Sequence, residues 1–259
     1  MNNYNILIVE GNLKEENQNF IDVGIQTHTE SLKDSLNYFS NNLNFDVVNP
    51  SSDNNLDLIN KNLSKYDGLI WGGSSLNIYN ATPEIKRQIE FMKVCQKKVK
   101  NILAICWGMQ VAVTAAGGEV RKAISSNIGI ANEIMLSEDG LKHPIYKNKS
   151  NKFNSPAFNF DEVVKLPNNA ICLASNKINK IQSLYFNVGD TKIWGLQYHP
   201  EITYEKMISL IEFRKEKLIK NRKTFENEKQ IKDHISLIRE EISVSNKTQR
   251  MVELKNWLD

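Results

Sequence analysis

The sequence predicts an α/β fold: an open, mostly parallel sheet with helices on both faces, a small antiparallel portion, and a helical C-terminal extension. Three observations carry this expectation. Short apolar runs alternate with amphipathic stretches through the first 118 residues, the pattern of repeated strand–helix units. Two of those runs end in turns built from small residues, at Gly72-Gly73 and around Cys106, and in open α/β sheets sites form at the carboxyl ends of strands. Beyond Gly118 the texture changes to shorter β-like runs separated by turn signals.

Taken in order, Tyr4 to Val9 is a compact apolar strand ending at Glu10-Gly11, expected to be central. Asn12 to Thr27 is polar and without a clear period, and reads as a long loop with His28 at its end. A lone histidine beside a helix start is most often a capping or surface residue, and a place in the site is the less common alternative for His28. Thr29-Glu30-Ser31-Leu32 begins a helix whose stripe is Leu32, Leu36, Phe39 and Leu43. Phe45 to Val48 is the next strand, Leu56 to Leu63 the next helix, and Gly68 to Trp71 a strand leading into Gly72-Gly73-Ser74-Ser75. Pro83 opens a helix with Ile85, Ile89, Met92 and Cys95 inward, proline being tolerated in a first turn. Ile102 to Ile105 is a buried strand, and Met109 to Ala116 a helix stopped by Gly117-Gly118.

Composition sets outer limits. The 259 residues suffice for one large domain or a domain plus an extension. Three cysteines without a C-x-x-C spacing suggest neither disulfides nor a zinc site. The start M-N-N-Y-N-I-L-I-V-E-G lacks the basic and long apolar parts of a signal peptide, and no run approaches a membrane span. A cytoplasmic location is expected. With 33 basic and 30 acidic residues the charge is too balanced to imply nucleic acid or a membrane surface.

Chemistry concentrates in three places. Cys106 sits between a strand and a helix, with Ala104 two before it and Gly108 two after, the pattern of a nucleophile elbow. At a helix amino end the unpaired N–H groups and the dipole favour a thiolate; the alternative is one more buried cysteine. Gly72-Gly73 leaves backbone N–H groups uncovered, as an oxyanion hole requires, although two glycines also make an ordinary turn. In Tyr198-His199-Pro200-Glu201 the histidine and the carboxylate stand two apart. In an extended segment they point the same way, so Glu201 reaches the imidazole and fixes its tautomer.

The runs A-I-C-W-G-M-Q at Ala104 to Gln110, G-L-Q-Y-H-P-E at Gly195 to Glu201 and W-G-G-S-S at Trp71 to Ser75 closely resemble the class I, or triad, glutamine amidotransferases over roughly residues 4 to 205. The nearest likeness is to the glutaminase domain of GMP synthase and its stand-alone relatives. The resemblance implies a flavodoxin-like sheet and a triad of Cys106, His199 and Glu201. It also implies oxyanion donors from the backbone of Gly73 and Trp107, with Gly72, Gln110, Asn159 and Phe160 about the substrate, and neither metal nor cofactor. The expected reaction is hydrolysis of the glutamine γ-amide through a γ-glutamyl thioester, with ammonia passed to an acceptor.

The chain departs from that family at several points. Ala104 replaces a common glycine, and Ser74 replaces a common proline. Phe158-Asn159-Phe160-Asp161-Glu162-Val163 occupies the place of a Ser-His-x-Asp-x-Val segment that helps hold the α-groups of glutamine. A related γ-glutamyl amide therefore stands as the alternative substrate, and a non-catalytic binding protein of the same fold as a third reading. Residues 1–204 are expected to form the amidotransferase-like domain and 205–259 a helical extension, with stripes Met207-Leu210-Ile211-Phe213, Ile231-Ile235-Ile238 and Met251-Leu254-Trp257. No G-x-x-x-x-G-K-[ST] loop occurs, so any ammonia acceptor would require a synthetase on a separate chain.

Overall fold

The computed structural model of the protein describes residues 4–53 and 56–259. Its main sheet has nine strands. In chain order they are β1 (Tyr4–Val9), β2 (Leu43–Val48), β3 (Gly68–Trp71), β4 (Asn101–Ile105), β6 (Ala131–Leu136), β7 (Lys152–Ser155), β9 (Ile171–Ser175), β10 (Ser183–Val188) and β11 (Thr191–Leu196). The spatial order is β2-β1-β3-β4-β11-β10-β9-β6-β7. The first five are parallel, in a flavodoxin-like order. The other four join through antiparallel pairings. A separate antiparallel pair is formed by β5 (Glu119–Ile128) and β8 (Phe158–Lys165).

Alternation along the central strands sorts their side chains onto two faces. On one face Leu7, Val9, Leu69, Trp71, Ile102 and Ala104 pack with α4 (Pro83–Lys98) and α5 (Trp107–Ala115), and Leu56 and Ile59 of α3 (Leu56–Lys61) lie against the same cluster. On the other, Ile6, Ile8, Ile70, Leu103 and Ile105 pack with Leu32 and Leu36 of α2 (His28–Asn37). The same cluster takes Leu254 of α10 (Val252–Leu258) and Met251 just before it. The last helix thus completes the second layer beside α2. Burial of both faces explains why the central strands read as continuous apolar runs rather than alternating ones.

Two sequence expectations are corrected here. The supposed loop after Gly11 contains the helix α1 (Lys14–Asp22). Its one buried residue, Phe20, docks against Ile25, Ile202, Met207 and Leu210, too little apolar material to leave a period in the sequence. Leu43 belongs to β2, because α2 ends at Asn37. Helix α2 itself starts at His28, capped by Thr27 in a full capping box with Glu30.

A short helix, α6 (Glu138–Lys142), follows β6 and is capped by the Ser137 hydroxyl. After β11 the chain forms α7 (Tyr204–Phe213), a π-helical turn at Lys217–Asn221, α8 (Glu228–Val244), α9 (Lys247–Arg250) and α10. Ile211, Leu218, Ile231, Ile235 and Ile238 bury against Ile128 and Ile130 and against Phe158 and Phe160 of β8. The two-stranded sheet is therefore clamped by the C-terminal helices. Among the described residues no helix is long and apolar enough to cross a membrane.

Candidate active site

Three neighbouring parallel strands bring the sequence motifs together. Ala104 is in register with both Trp71 of β3 and Gly195 of β11, so the chain segments leaving the carboxyl ends of β3, β4 and β11 emerge side by side. Gly73, Cys106 and His199 follow those ends.

Cys106 joins β4 to α5 with φ 52° and ψ −103°, an unusual conformation for a residue with a side chain. It is held there from both sides. The Cys106 N–H donates to Leu196 O at 2.6 Å, and its carbonyl accepts from Gln110 N at 3.2 Å. Gly108 makes the sharp turn feasible: a Cβ at that position would lie 2.4 Å from the Trp71 carbonyl oxygen. The Trp107 indole N–H donates to Gln88 Oε1 at 2.7 Å, and Gln88 in turn donates to Gly11 O at 2.9 Å.

His199 is buried and pairs through Nδ1 with Glu201 Oε1 at 2.7 Å. Burial opposes the charged imidazole, yet the Glu201 carboxylate and Cys106 together outweigh it and push the His199 pKa up to about 10. The imidazolium is thus the resting form near neutral pH. Gln197 donates to Cys106 Sγ at 3.5 Å and accepts from Gln110 Nε2 at 3.4 Å. The backbone N–H of Gly73 and that of Trp107, the first residue of α5, donate to no group among the described residues; first-turn helix amides have no intrahelical acceptor.

His28 is the histidine that sequence reasoning left at the helix start, and it lies inside the site. Its ring stacks on His199 with centroids 5.5 Å apart and planes 15° from parallel. A Cβ on Gly73 would come within 2.7 Å of His199 Cε1 and 3.0 Å of His28 Cε1, so only a glycine fits against the pair. Burial first, then the positive charges of Lys206, His199 and Arg214, hold His28 well below its ordinary pKa and hence neutral. Among the described residues His28, His199 and Glu201 form the one group whose ligand-type atoms lie within 4.8 Å of one another. Within it His199 and Glu201 are already joined by their own hydrogen bond.

A cavity opens over Cys106, lined by Trp107 and Gln110, by Ser74 to Asn77, by Phe158 to Asp161, and by Arg214, Lys217, Leu218 and Arg222. Gln110 and Phe160 therefore face the space expected for a substrate. Asn159 lines it too, but its side chain is bound to Asn127, Asn179 and the Asp161 carbonyl. Gly72 sits behind the cavity, where a Cβ would meet His28 Cβ at 3.5 Å and Leu32 at 3.6 Å. Sequence reasoning missed Gln88, Gln197 and the three cations of the C-terminal segment. For Gln88 a signal existed, since this polar residue occupies the inward stripe of α4 between Ile85 and Met92.

A flavodoxin-like sheet with a cysteine elbow, a histidine–carboxylate pair and free backbone donors at adjacent strand ends defines a class of α/β proteins that carry a cysteine at a strand-to-helix turn. The class-I glutamine amidotransferase family model matches residues 19–216, and the chain belongs to that family. It is 31% identical over 207 residues to a γ-glutamyl-L-1-hydroxyisopropylamide hydrolase from a Pseudomonas species, covering 78% of this chain and 69% of that protein. It is 31% identical over 150 residues to a glutamine-hydrolysing GMP synthase component from Sulfolobus acidocaldarius, covering 55% of this chain and 71% of that protein. A glutamine amidotransferase structure from Thermotoga maritima superposes with a TM-score of 0.66 at 16% identity, covering 100% of this chain and 97% of that one.

Proposed function

We propose that the protein hydrolyses a γ-glutamyl amide through a γ-glutamyl thioester on Cys106. The observation that carries this reading is the placement of Cys106, the His199–Glu201 pair and the unpaired N–H groups of Gly73 and Trp107 at three adjacent strand ends. An unactivated amide needs a strong nucleophile, an acid for its leaving amine, and donors for the oxyanion. In this mechanism the Cys106 sulfur adds to the γ-carbonyl carbon, and the oxyanion forms against the N–H groups of Gly73 and Trp107. The His199 imidazolium gives its proton to the amide nitrogen as the C–N bond breaks. Neutral His199 then takes a proton from water, which attacks the thioester. Glutamate leaves, and Cys106 and His199 regain their starting states. Glu201 orients His199 throughout. Residues 1–204 carry this chemistry, and residues 205–259 complete the pocket rim.

Two observations favour a substituted amide over free glutamine. Phe158 and Asn159 stand where the family commonly has Ser-His, and the relative named as a γ-glutamyl-L-1-hydroxyisopropylamide hydrolase matches 78% of the chain against 55% for the GMP synthase component. A glutaminase that supplies ammonia to a separate synthetase is the second reading, supported by that GMP synthase relative. The purified protein should be incubated with glutamine and with N-alkyl γ-glutamyl amides, following ammonia and amine release. Turnover of the alkyl amides by the protein alone is expected. Cys106→Ala should lower kcat by several orders of magnitude with the fold intact. Undiminished turnover by that variant would sink the mechanism.

A further inference from the structure

The cavity over Cys106 is closed on one side by three cations from the segment that follows α7: Arg214, Lys217 and Arg222. Two of them are fastened. Arg214 pairs with Glu16 at 2.6 Å and lies against the rings of Phe20 and Phe158, while Arg222 donates to Asn77 Oδ1 at 3.1 Å and sits 4.3 Å over the Phe160 ring. Phe158 stands at one of the two positions where this chain leaves its family's segment, and it carries one of these arginines. Lys217 differs from both. Its ammonium has no hydrogen-bond or ion-pair partner among the described residues: the guanidinium groups of Arg214 and Arg222 repel it, and the Glu16 carboxylate that attracts it is already paired with Arg214. The single carboxylate in the lining, Asp161, is engaged by Asn77 Nδ2 at 2.7 Å and by the Tyr79 hydroxyl at 3.0 Å. An unpaired cation beside two anchored ones, at the mouth of a pocket that ends at a nucleophile, lacks only an anion.

We propose that Lys217, backed by Arg214 and Arg222, binds a carboxylate of the substrate and so restricts the site to acidic amides. This deepens the reading above and rests on it for the identity of the amide, but not for the anion site itself. Two carboxylates are available on such substrates: the α-carboxylate of the glutamyl group, and one on the amine side, as in a γ-glutamyl amino acid. Both would bring the same chemistry to Lys217.

The site can be probed without turnover by alkylating Cys106 with iodoacetate, an anion, and with neutral iodoacetamide. In each case the Cys106 sulfur displaces iodide, the C–S bond forming as the C–I bond breaks. The ratio of the two rates at Cys106, read by peptide mass, should fall about fourfold in Lys217→Gln, the effect of one charge at roughly 10 Å and an effective dielectric of ~40. Lys217→Arg should restore the ratio, and added salt should shrink the difference. An unchanged ratio in Lys217→Gln, with its circular dichroism and Tm matching the parent, overturns the proposal. So does failure of either reagent to reach Cys106. If the ratio behaves as expected yet no γ-glutamyl amide is cleaved, the anion site stands and the hydrolase reading fails. Steady-state kinetics separate the two sources: a higher KM with kcat retained for γ-glutamyl methylamide, but not for 4-aminobutanamide, assigns the α-carboxylate. A rise confined to γ-glutamylglycine assigns the amine-side acid.

Discussion

In the proposed mechanism the protonation state of His199 decides what the site does at a given pH. Its folded pKa of about 10 stands above the ordinary 6.5 because Glu201 and Cys106 outweigh the cost of burial. The stability that this pairing contributes is therefore fully present below about 6.5 and is lost as pH rises through about 10. In the proposed mechanism catalysis follows the same group, since there the imidazolium is the acid for the leaving amine. The rate is expected to decline on the alkaline side near pH 10, and Glu201→Gln should move that decline down by about 1–2 pH units, visible in a kcat/KM profile. His28 is predicted to act on this histidine rather than on substrate. Neutral and stacked at 5.5 Å, it supports the ring of a cation. His28→Ala should therefore lower kcat, and His28→Phe should recover most of it. If both variants match the parent in a kcat assay, the stacking has no positioning role. Cys106, His199 and Glu201 were legible in the sequence because motif and spacing are local. His28 was not, because its role comes from a stack with a residue 171 positions away.

Elements were readable in proportion to the apolar surface they bury. Strands β1, β3 and β4 and helix α4 announce themselves as buried runs or stripes, whereas α1 contributes only Phe20 to a cluster and left no period. The elbow between β4 and α5 is the case where an element's geometry depends on one side chain's absence. An alanine inside a helix ordinarily gains about 1 kcal/mol over glycine. At Gly108 the sign should reverse, because the new Cβ would lie 2.4 Å from the Trp71 carbonyl oxygen and 2.8 Å from its Cβ. Strand β3 is central and fully buried, so it cannot retreat, and α5 must tilt away instead. Gly108→Ala is expected to cost about 1–3 kcal/mol, as overpacking does, measured by denaturant unfolding. Displacing the Trp107 N–H would lower activity further. A variant as stable and active as the parent would show that the turn is not fixed by this contact.

The whole molecule is tied to its C-terminal helices in a way no motif advertises. Arg250 donates to the carbonyls of Pro200 and, at 2.7 Å, Ile202, bracing the turn that holds His199 and Glu201. Three residues on, Glu253 is fully buried. It accepts from the Tyr198 hydroxyl at 2.6 Å and pairs with Lys149 at 3.0 Å, whose side chain is only 2% exposed. Tyr146 extends the chain through a 2.8 Å contact with Tyr198. Such a network links the antiparallel half of the sheet, the strand end that carries His199, and α10. Its members are scattered from 146 to 253 in sequence, so only the fold reveals it. Burial lowers the Lys149 pKa, and Glu253 is its compensating charge. Removing one partner of a buried pair leaves the other uncompensated, at about 3–5 kcal/mol. Glu253→Ala should therefore destabilise the protein by that amount in denaturant unfolding. Replacing both partners, Glu253→Leu with Lys149→Met, should recover much of the loss, because neither member of the pair is left as an uncompensated buried charge. Activity gives the complementary readout: with Tyr198 one residue from His199, Glu253→Ala should lower kcat even under conditions where the variant stays folded. A single variant that lost neither stability nor kcat would mean the C-terminal helices only cover the domain and do not hold its site.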